Sequence, residues 1–516
     1  MAQVESDREI SATSDIGDML STSDVELQIG LGRMKETLTN QNKWSWDDDP
    51  SNPYNWPKRL KAQQVLMIAS AAFVTSVSVS ILSPAHSEFM EEFRVSDTVA
   101  ILPLSLYVFA LGLGPVFGGP LSETVGRYPV YIGSISLGTL FTLGTGFSPT
   151  FGGVCVLRFL AGFCYGPTLA IGGGTINETF RPVKRGIPST IFILTPFLGP
   201  GLGSPDYFIH APINENYSPV IGSFVVNRKG WRWTQWTIIF FSIFTLITIG
   251  LARETFHPVI QRRRARELGH DLPSSPPFSA KIRTFATMTL LRPIHMLLTE
   301  PIVGFICLYV ACEFATLFSF FAGVPLVFRS VYHFGIEESG LVFLAIVVGC
   351  LLGAFTVILC DILLYRRRTP EYLGQQVPPE NRLYPALIGS VGIPIGLFWF
   401  AWSARPDISW TSPTIAIMVF AWGNLSIFVA TTQYIVDNYH GLTVVSAMSA
   451  NSLARYGLAA AFPLFTIQMY AKLGIGWASS ILGFIAVVLL PVPWVLFKAG
   501  KTLRALSKYE IAESQG

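Results

Sequence analysis

Charged residues are scarce in this sequence of 516 residues. Asp, Glu, Lys and Arg make up 13% of it, whereas half of the chain is hydrophobic. A soluble domain usually carries about 25% charged residues. The charges cluster near the two termini, in one central stretch and in short loops between long apolar runs. This pattern argues against an ordinary soluble protein and is typical of a polytopic membrane protein.

Motifs for metal, disulfide, nucleotide and nucleic-acid chemistry are also missing. The six cysteines form no CxxC pair, and the seven histidines form no HxxxH or HxxHH pair. Neither G-x-S-x-G nor G-x-x-x-x-G-K-[ST] occurs, which excludes an ATP-driven pump of the P-loop type. The net charge of +3 comes without a basic stripe. We therefore expect no enzyme, no catalytic residue, no metal, no cofactor and no nucleic-acid partner.

Twelve apolar runs are each long enough to cross a bilayer, which takes ~20 residues. In the first half they lie near 64–85, 99–119, 130–147, 152–175, 187–226 and 233–252. In the second half they lie near 300–326, 339–361, 383–402, 411–433, 443–468 and 475–497. The sequence thus predicts an all-α membrane protein with twelve transmembrane helices in two six-helix halves, the outline of a transporter built from repeats.

The charged segments divide the chain into five parts. We predict a disordered cytoplasmic tail, two helix bundles, a basic Pro/Ser-rich linker between them and a second cytoplasmic tail; these are residues 1–62, 63–252, 253–298, 299–498 and 499–516. The polar start does not resemble a signal peptide.

Loop charges predict the orientation. With both termini in the cytoplasm, most Lys and Arg near the helix ends lie inside. The outer loops then hold only Arg94, Arg228, Lys229, Arg232, Arg329, Arg405 and Lys472. We expect a multi-pass protein of the plasma membrane, with the vacuolar membrane as the alternative, in contact with the lipid bilayer and acting as a monomer.

The turn after the second helix carries the first functional motif. It reads G-P-L-S-E-T-V-G-R-Y and includes Gly119, Glu123, Gly126 and Arg127. Glu123 and Arg127 are four residues apart and could pair on a helical turn. The turn resembles the signature loop of the major facilitator superfamily, which implies the major facilitator fold and a cytoplasmic gate. Thr124 and Tyr128 replace two usual basic residues of that loop, so the gate could be weaker.

Three charged residues are predicted to lie inside the membrane. Arg158 lies in the fourth helix, Glu313 in the seventh and Arg455 in the eleventh. Intramembrane charges are costly and usually functional, although each could serve only in a structural contact. The position of Arg158 resembles the superfamily's helix-four motif, which implies a role in proton coupling. We regard all three as candidates for proton coupling, whereas Glu178 could equally be a loop charge.

The fifth run is too long for one helix. Its ends hold Gly199, Pro200, Gly203, Pro219 and Gly222, and when residues 204–218 are removed they join as G-P-G-L-G-P-V-I-G-S. This text resembles the G-P-x-x-G-P-x-x-G-G motif of drug:proton antiporters, with Ser223 for the last glycine. The intervening segment SPDYFIHAPINENYS places polar residues at membrane depth. It is either a translated intron or a real loop in the outer vestibule.

Several further segments are similar to fungal members of the twelve-helix drug:proton antiporter family, near the polyamine and multidrug exporters. They are W-D-D-D-P-S-N-P-Y-N-W-P at 46–57, L-S-P-A at 82–85, L-P-L-S-L-Y at 102–107, G-W-R-W at 230–233 and A-F-P-L-F at 461–465. The resemblance implies efflux of drugs, fungicides, polyamines or a fungal secondary metabolite or toxin, driven by proton entry. The transported partners would be a small molecule and protons.

The substrate route should run between the halves near the membrane midplane. Aromatic and small residues with few charges suit amphipathic solutes. The candidate lining residues are Tyr107, Tyr165, Phe320 and Asn451. Two alternatives stay open: a proton-coupled nutrient importer, and a product inactivated by the 204–218 segment.

Overall fold

A computed structural model describes residues 46–181, 184–202, 229–267, 291–368, 377–439, 442–507 and 509. Within these ranges ten helices are long and apolar enough to cross a membrane. The two remaining predicted segments correspond to a shorter apolar helix at Gly186–Gly199 and to the second part of the last long helix, beyond a bend. The prediction of an all-α protein with twelve transmembrane segments is confirmed.

The first half contains six crossings, one short helix and a single helical turn at Asp97–Ala100. The helices are α1 (Lys58–Ser80), α2 (His86–Phe93), α3 (Leu102–Val125), α4 (Arg127–Phe147), α5 (Phe151–Tyr165), α6 (Pro167–Thr179), α7 (Gly186–Leu202) and α8 (Arg232–Leu251). The fourth crossing is split into α5 and α6 because Pro167 lacks the amide proton that a continuous helix needs.

Two shorter helices precede the second half, which ends in a long kinked helix and one further helix. A short helix at Ile336–Leu341 also lies in this half. The helices are α9 (His257–Glu267), α10 (Arg292–Thr299), α11 (Pro301–Tyr332), α12 (Leu344–Cys360), α13 (Tyr384–Ser403), α14 (Thr411–Asn438), α15 (Leu442–Leu489) and α16 (Pro491–Ala505). Helix α15 holds two crossings because the chain bends at Gly474, whose φ is 74°. This positive φ is open to glycine without steric cost.

The two halves meet along two pairs of helices, α3 with α15 and α7 with α12. We call the end of the bundle where α1 begins and where α9 lies the linker face, and the opposite end, which carries α2, the far face. Many large apolar side chains on the outside of the bundle are exposed, among them Phe147, Phe240, Phe355 and Val488. A surface of this kind is typical of a protein embedded in a membrane.

The segment before α1 is more ordered than its sequence predicts. Residues 46–62, assigned above to a disordered tail, form two short 3-10 turns and the first turn of α1. The Tyr54 hydroxyl donates to the backbone carbonyl of Asn177 at the end of α6, over 3.0 Å. The Asp49 carboxylate lies 3.5 Å from Arg264 of α9. These contacts fasten the segment to the linker face. Residues 1–45 lie outside the described part of the chain.

Candidate substrate cavity and charged sites

A cavity of about 60 Å³ lies between the halves and is lined by both of them. Its walls are mainly aromatic and aliphatic. The aromatic side chains are Phe192, Phe197, Phe314, Phe318, Phe428 and Tyr456, and the polar ones are Ser76, Thr432, Ser452 and Arg455. Pockets for drug-sized ligands usually measure about 300–1,000 Å³. The cavity must therefore widen before it can take a whole organic molecule.

Contacts between the halves lie at both ends of this cavity. On the far side, the Ser83 hydroxyl donates to the carbonyl of Phe321 over 3.0 Å, and the side chains of Thr98 and Gln468 are hydrogen-bonded. On the linker face, Gly119 of α3 lies so close to Val445 of α15 that an added Cβ would be 2.9 Å from its methyl carbon. The conformation therefore keeps both ends of the route narrow.

Arg455 lines the cavity inside a cage of three aromatic rings. Its guanidinium carbon lies 4.7 Å from the ring centre of Phe314, 4.6 Å from that of Phe428 and 4.4 Å from that of Tyr456. Such ring faces stabilise a cation. The side chain is only 7% exposed, and its Nε has no hydrogen-bond partner among the described residues. The structure thus places a positive charge in the wall of the cavity.

Glu313 is buried behind the same wall. The residue is 3% exposed, and neither carboxylate oxygen has a hydrogen-bond partner within the described ranges. Its backbone carbonyl accepts a bond of 3.3 Å from the Asn424 side chain of α14. Phe314, the next residue of α11, faces the cavity and contacts Arg455. Because an ionised carboxylate without partners is costly at such a site, a proton can neutralise it there.

Arg158 is buried within the first half, away from the cavity lining. Its guanidinium donates to the backbone carbonyl of Ser78 on α1 and lies over the ring of Tyr107, 4.2 Å from the centre. Two of its nitrogens lack hydrogen-bond partners among the described residues, and none of the carboxylates in those ranges forms an ion pair with it. Arginine stays protonated in proteins, so Arg158 can only act as a fixed charge.

None of the four candidate lining residues belongs to the described lining of the cavity in this conformation. The Tyr107 hydroxyl donates to the Thr75 carbonyl over 2.8 Å, and the Tyr165 hydroxyl lies 3.0 Å from that of Ser242. Phe320 packs between aromatic rings of the second half, and Asn451 is 1% exposed. Of the residues selected from sequence, only Arg455 is part of the described lining.

The turn at the linker face holds a buried ion pair, but not the one predicted. The Arg127 guanidinium pairs with Glu178 at the end of α6 over 2.8 Å, and Glu123 forms no ion pair with it. The predicted Glu123–Arg127 pair is wrong because Glu123 lies in α3 before the turn at Gly126, whose φ of 104° redirects the chain. Glu178 is therefore not a loop charge.

A second carboxylate completes the turn. Glu254, just beyond α8, accepts hydrogen bonds from the backbone amides of Arg127 and Tyr128 over 2.9 and 3.0 Å. It lies at the positive N-terminal end of α4, where a carboxylate is stabilising. Sequence reasoning weighed Glu178 only as a possible loop charge and missed Glu254; the available signal was their position at helix ends that the topology brings to the linker face.

The second half repeats this arrangement. Asp361 pairs with Arg366 over 2.9 Å and with Arg382 over 3.1 Å, and Arg382 also pairs with Asp437 at the end of α14 over 2.7 Å. Arg382 precedes α13 as Arg127 begins α4, so the two arginines occupy corresponding places in the halves. Asp361 and Asp437 thus hold Arg382 at the turn of the second half, a partner set that sequence reasoning missed.

Helix α7 carries the described part of the proline–glycine motif. A Cβ at Gly199 would lie 2.5 Å from that of Ser76 on α1, so only glycine allows this approach. Pro200 follows in the same helix. Gly203, Pro219 and Gly222, with the 204–218 segment, lie outside the described residues.

Comparison with protein families gives one match over most of the chain. The model of the Major Facilitator Superfamily matches residues 68–205 and 217–463. The gap between the two matched ranges falls inside the 204–218 segment.

Named relatives are fungal transporters. "Polyamine transporter 4" of Saccharomyces cerevisiae is 37% identical over 91% of this chain and 73% of its own length. "MFS-type transporter traF" of Penicillium crustosum is 34% identical over 90% of this chain and 92% of its own. The "Cycloheximide resistance protein" of Candida maltosa is 32% identical over 90% of this chain and 85% of its own length.

Solved structures with the same fold come from distant sequences. The human organic anion transporter MFSD10 is 13% identical, with a TM-score of 0.57 over 85% of this chain and 99% of that one. The proton:xylose symporter XylE is 14% identical, with a TM-score of 0.58 over 87% of this chain and 99% of that one. Family, relatives and fold agree. The chain belongs to the major facilitator superfamily and is a membrane transporter, not an enzyme.

Proposed function

We propose that this chain exports small amphipathic organic molecules from the cytoplasm in exchange for protons. The observation that carries the proposal is the cavity between the halves, whose wall combines six aromatic rings with a buried cation and lies beside the unpartnered Glu313. Aromatic walls suit flat, partly apolar solutes. The substrates considered from sequence were drugs, fungicides, polyamines and a fungal secondary metabolite or toxin.

Glu313 is the proposed proton carrier. Its burial without partners makes the neutral form the one that the site tolerates, and ionisation requires water or a new partner to reach it. Since Glu313 precedes the cavity residue Phe314, a shift of α11 that exposes the carboxylate would also move the cavity wall. Proton release and substrate release could be linked through this one helix.

The alternation of access would use the two narrow ends described above. Opening the linker face would separate α3 from α15 near Gly119 and Val445, whereas opening the far face would break the Ser83–Phe321 contact. The fixed charges of Arg127 and Glu178 hold the end of α6 against the start of α4 within the first half. Each half can therefore move as a unit around the substrate.

Three observations support export by a protein with both termini inside. Lys and Arg are concentrated at the linker face, which favours a cytoplasmic position for it. The Candida maltosa relative is named for resistance to a drug. The described part of the α7 motif has the glycine contact that a close-packed antiporter helix needs.

Efflux of a fluorescent dye from yeast cells that lack their own pumps tests the proposal. We would express the chain as written and with Ser204–Ser218 deleted, each with and without a protonophore. Efflux that the protonophore abolishes supports proton-coupled export. Uptake instead of efflux, with the protein at the cell surface, would favour the importer. Efflux only after deletion would show that the segment inactivates the chain.

A further inference from the structure

One charged side chain faces the central cavity among its described lining residues, and it is a cation. Arg455 lies in the wall, whereas the lining within the described ranges includes neither Asp nor Glu. The nearest buried carboxylate on α11, Glu313, is not part of that lining. The cavity therefore has a positive electrostatic character.

The aromatic cage leaves this charge available to a ligand. Three rings hold the guanidinium at 4.4–4.7 Å, and it forms no ion pair with a carboxylate of the described residues. Ring faces stabilise a cation but do not neutralise it. A buried cation without a counter-ion attracts an anion strongly, because few waters screen it. The planar guanidinium fork also matches a carboxylate in shape.

We infer that the cavity binds planar aromatic anions, with a carboxylate or phenolate on Arg455 and the ring system against Phe314, Phe318 and Phe428. The inference rests on the proposed function and narrows its substrate class. The hydroxyl groups of Thr432 and Ser452, also in the wall, can donate to further oxygens of such a ligand. A polyamine would place several positive charges beside Arg455, so the geometry disfavours polycations.

Export of an anion has an energetic consequence. A membrane potential that is negative inside drives a monoanion outward, by a concentration ratio of about 50-fold for each 100 mV. A cation would be retained by the same potential. For an anion, the potential and the proton gradient therefore act in the same direction.

Two dyes with a shared xanthene core separate these charges: fluorescein is an anion and rhodamine 123 a cation. Purified protein would be reconstituted into liposomes with an acidic lumen and the potential clamped at zero, and retained dye measured after filtration and neutralisation. We expect uptake of fluorescein to be at least tenfold faster than that of rhodamine 123. R455Q should slow fluorescein uptake at least tenfold, and R455K should slow it to an intermediate rate. R405Q, which removes an exposed charge beyond α13, should leave the uptake rate unchanged.

Faster transport of rhodamine 123, or unchanged fluorescein transport in R455Q, would overturn the inference while leaving proton-coupled export intact. If neither dye is transported, the proposed function fails for these substrates and equilibrium binding still decides the inference. Fluorescence anisotropy with detergent-purified protein should then show fluorescein binding that R455Q weakens at least tenfold. Equal binding of the two dyes, or equal binding of fluorescein by the parent protein and R455Q, would overturn the inference. Size-exclusion chromatography confirms that each variant is folded.

Discussion

Replacement of Glu313 by Gln separates transport from its coupling to protons. The change keeps the length and shape of the side chain but removes the group that can gain and lose a proton. Glu313 is 3% exposed and its two carboxylate oxygens have no partners among the described residues. A neutral amide costs less to bury there than a carboxylate. We therefore expect E313Q to fold and to elute like the parent protein.

The expected loss of substrate accumulation in E313Q follows from the size of the pH gradient. With a pH difference of 2 and no potential, exchange of one proton for one substrate sustains a substrate ratio of about 100, because each factor of ten corresponds to about 1.4 kcal/mol. Without a titrating group at position 313 the ratio should fall to about 1. Exchange of labelled for unlabelled substrate without a pH difference needs no net proton transfer and should continue.

The assay measures both quantities in the same proteoliposomes. E91Q is the matched control, because Glu91 is an exposed carboxylate of α2 at the far face. It should retain the pH-driven ratio. If E313Q still accumulates substrate to about 100-fold, Glu313 does not carry the coupled proton. Loss of exchange as well as accumulation would show that Glu313 instead holds the substrate site together.

Three further outcomes follow from the geometry. Replacing Arg127 or Glu178 alone by Ala should lower the free energy of unfolding by about 3 kcal/mol, since a buried partner is left unpaired; the double variant should lose less than the sum, as measured by thermal unfolding in detergent. G199A should lower the free energy of unfolding by about 1–3 kcal/mol, because its Cβ would meet Ser76. Thermal unfolding in detergent, compared with the parent protein, tests this. Deletion of residues 204–218 should leave surface expression unchanged or raised, because the family match resumes at 217; loss of the protein from the membrane would contradict this.

Hydropathy was sufficient to predict the twelve crossings and the two halves. Long apolar runs are specified locally, one helix at a time, so their number and order can be read without knowledge of packing. Interruptions were harder to place. The split between α5 and α6 comes from a proline that stays within one continuous apolar run, and α15 holds two crossings because a single glycine bends it.

Charged partners could not be predicted in the same way. Arg127 has an acidic residue four positions before it, but its ion pair joins it to Glu178, at the end of another crossing. Arg382 and Asp437 are likewise distant in sequence. Local spacing predicts pairs along one helix, whereas the topology of a bundle decides which helix ends meet at one face. The repeat made the second arrangement a counterpart of the first, but gave neither set of partners.

The cavity shows why its aromatic residues were not selected from sequence. Rings are frequent throughout these helices, and Tyr107, Tyr165 and Phe320 lie in packing contacts behind the wall. The cage around Arg455 takes rings from α11, α14 and α15, so only the packed bundle defines it. Phe314 belongs to this cage and follows Glu313 in the chain. One turn of α11 therefore carries the proposed proton carrier and also forms part of the proposed anion site. Movement of that turn is the simplest way to couple the protonation of Glu313 to the binding of an anion at Arg455.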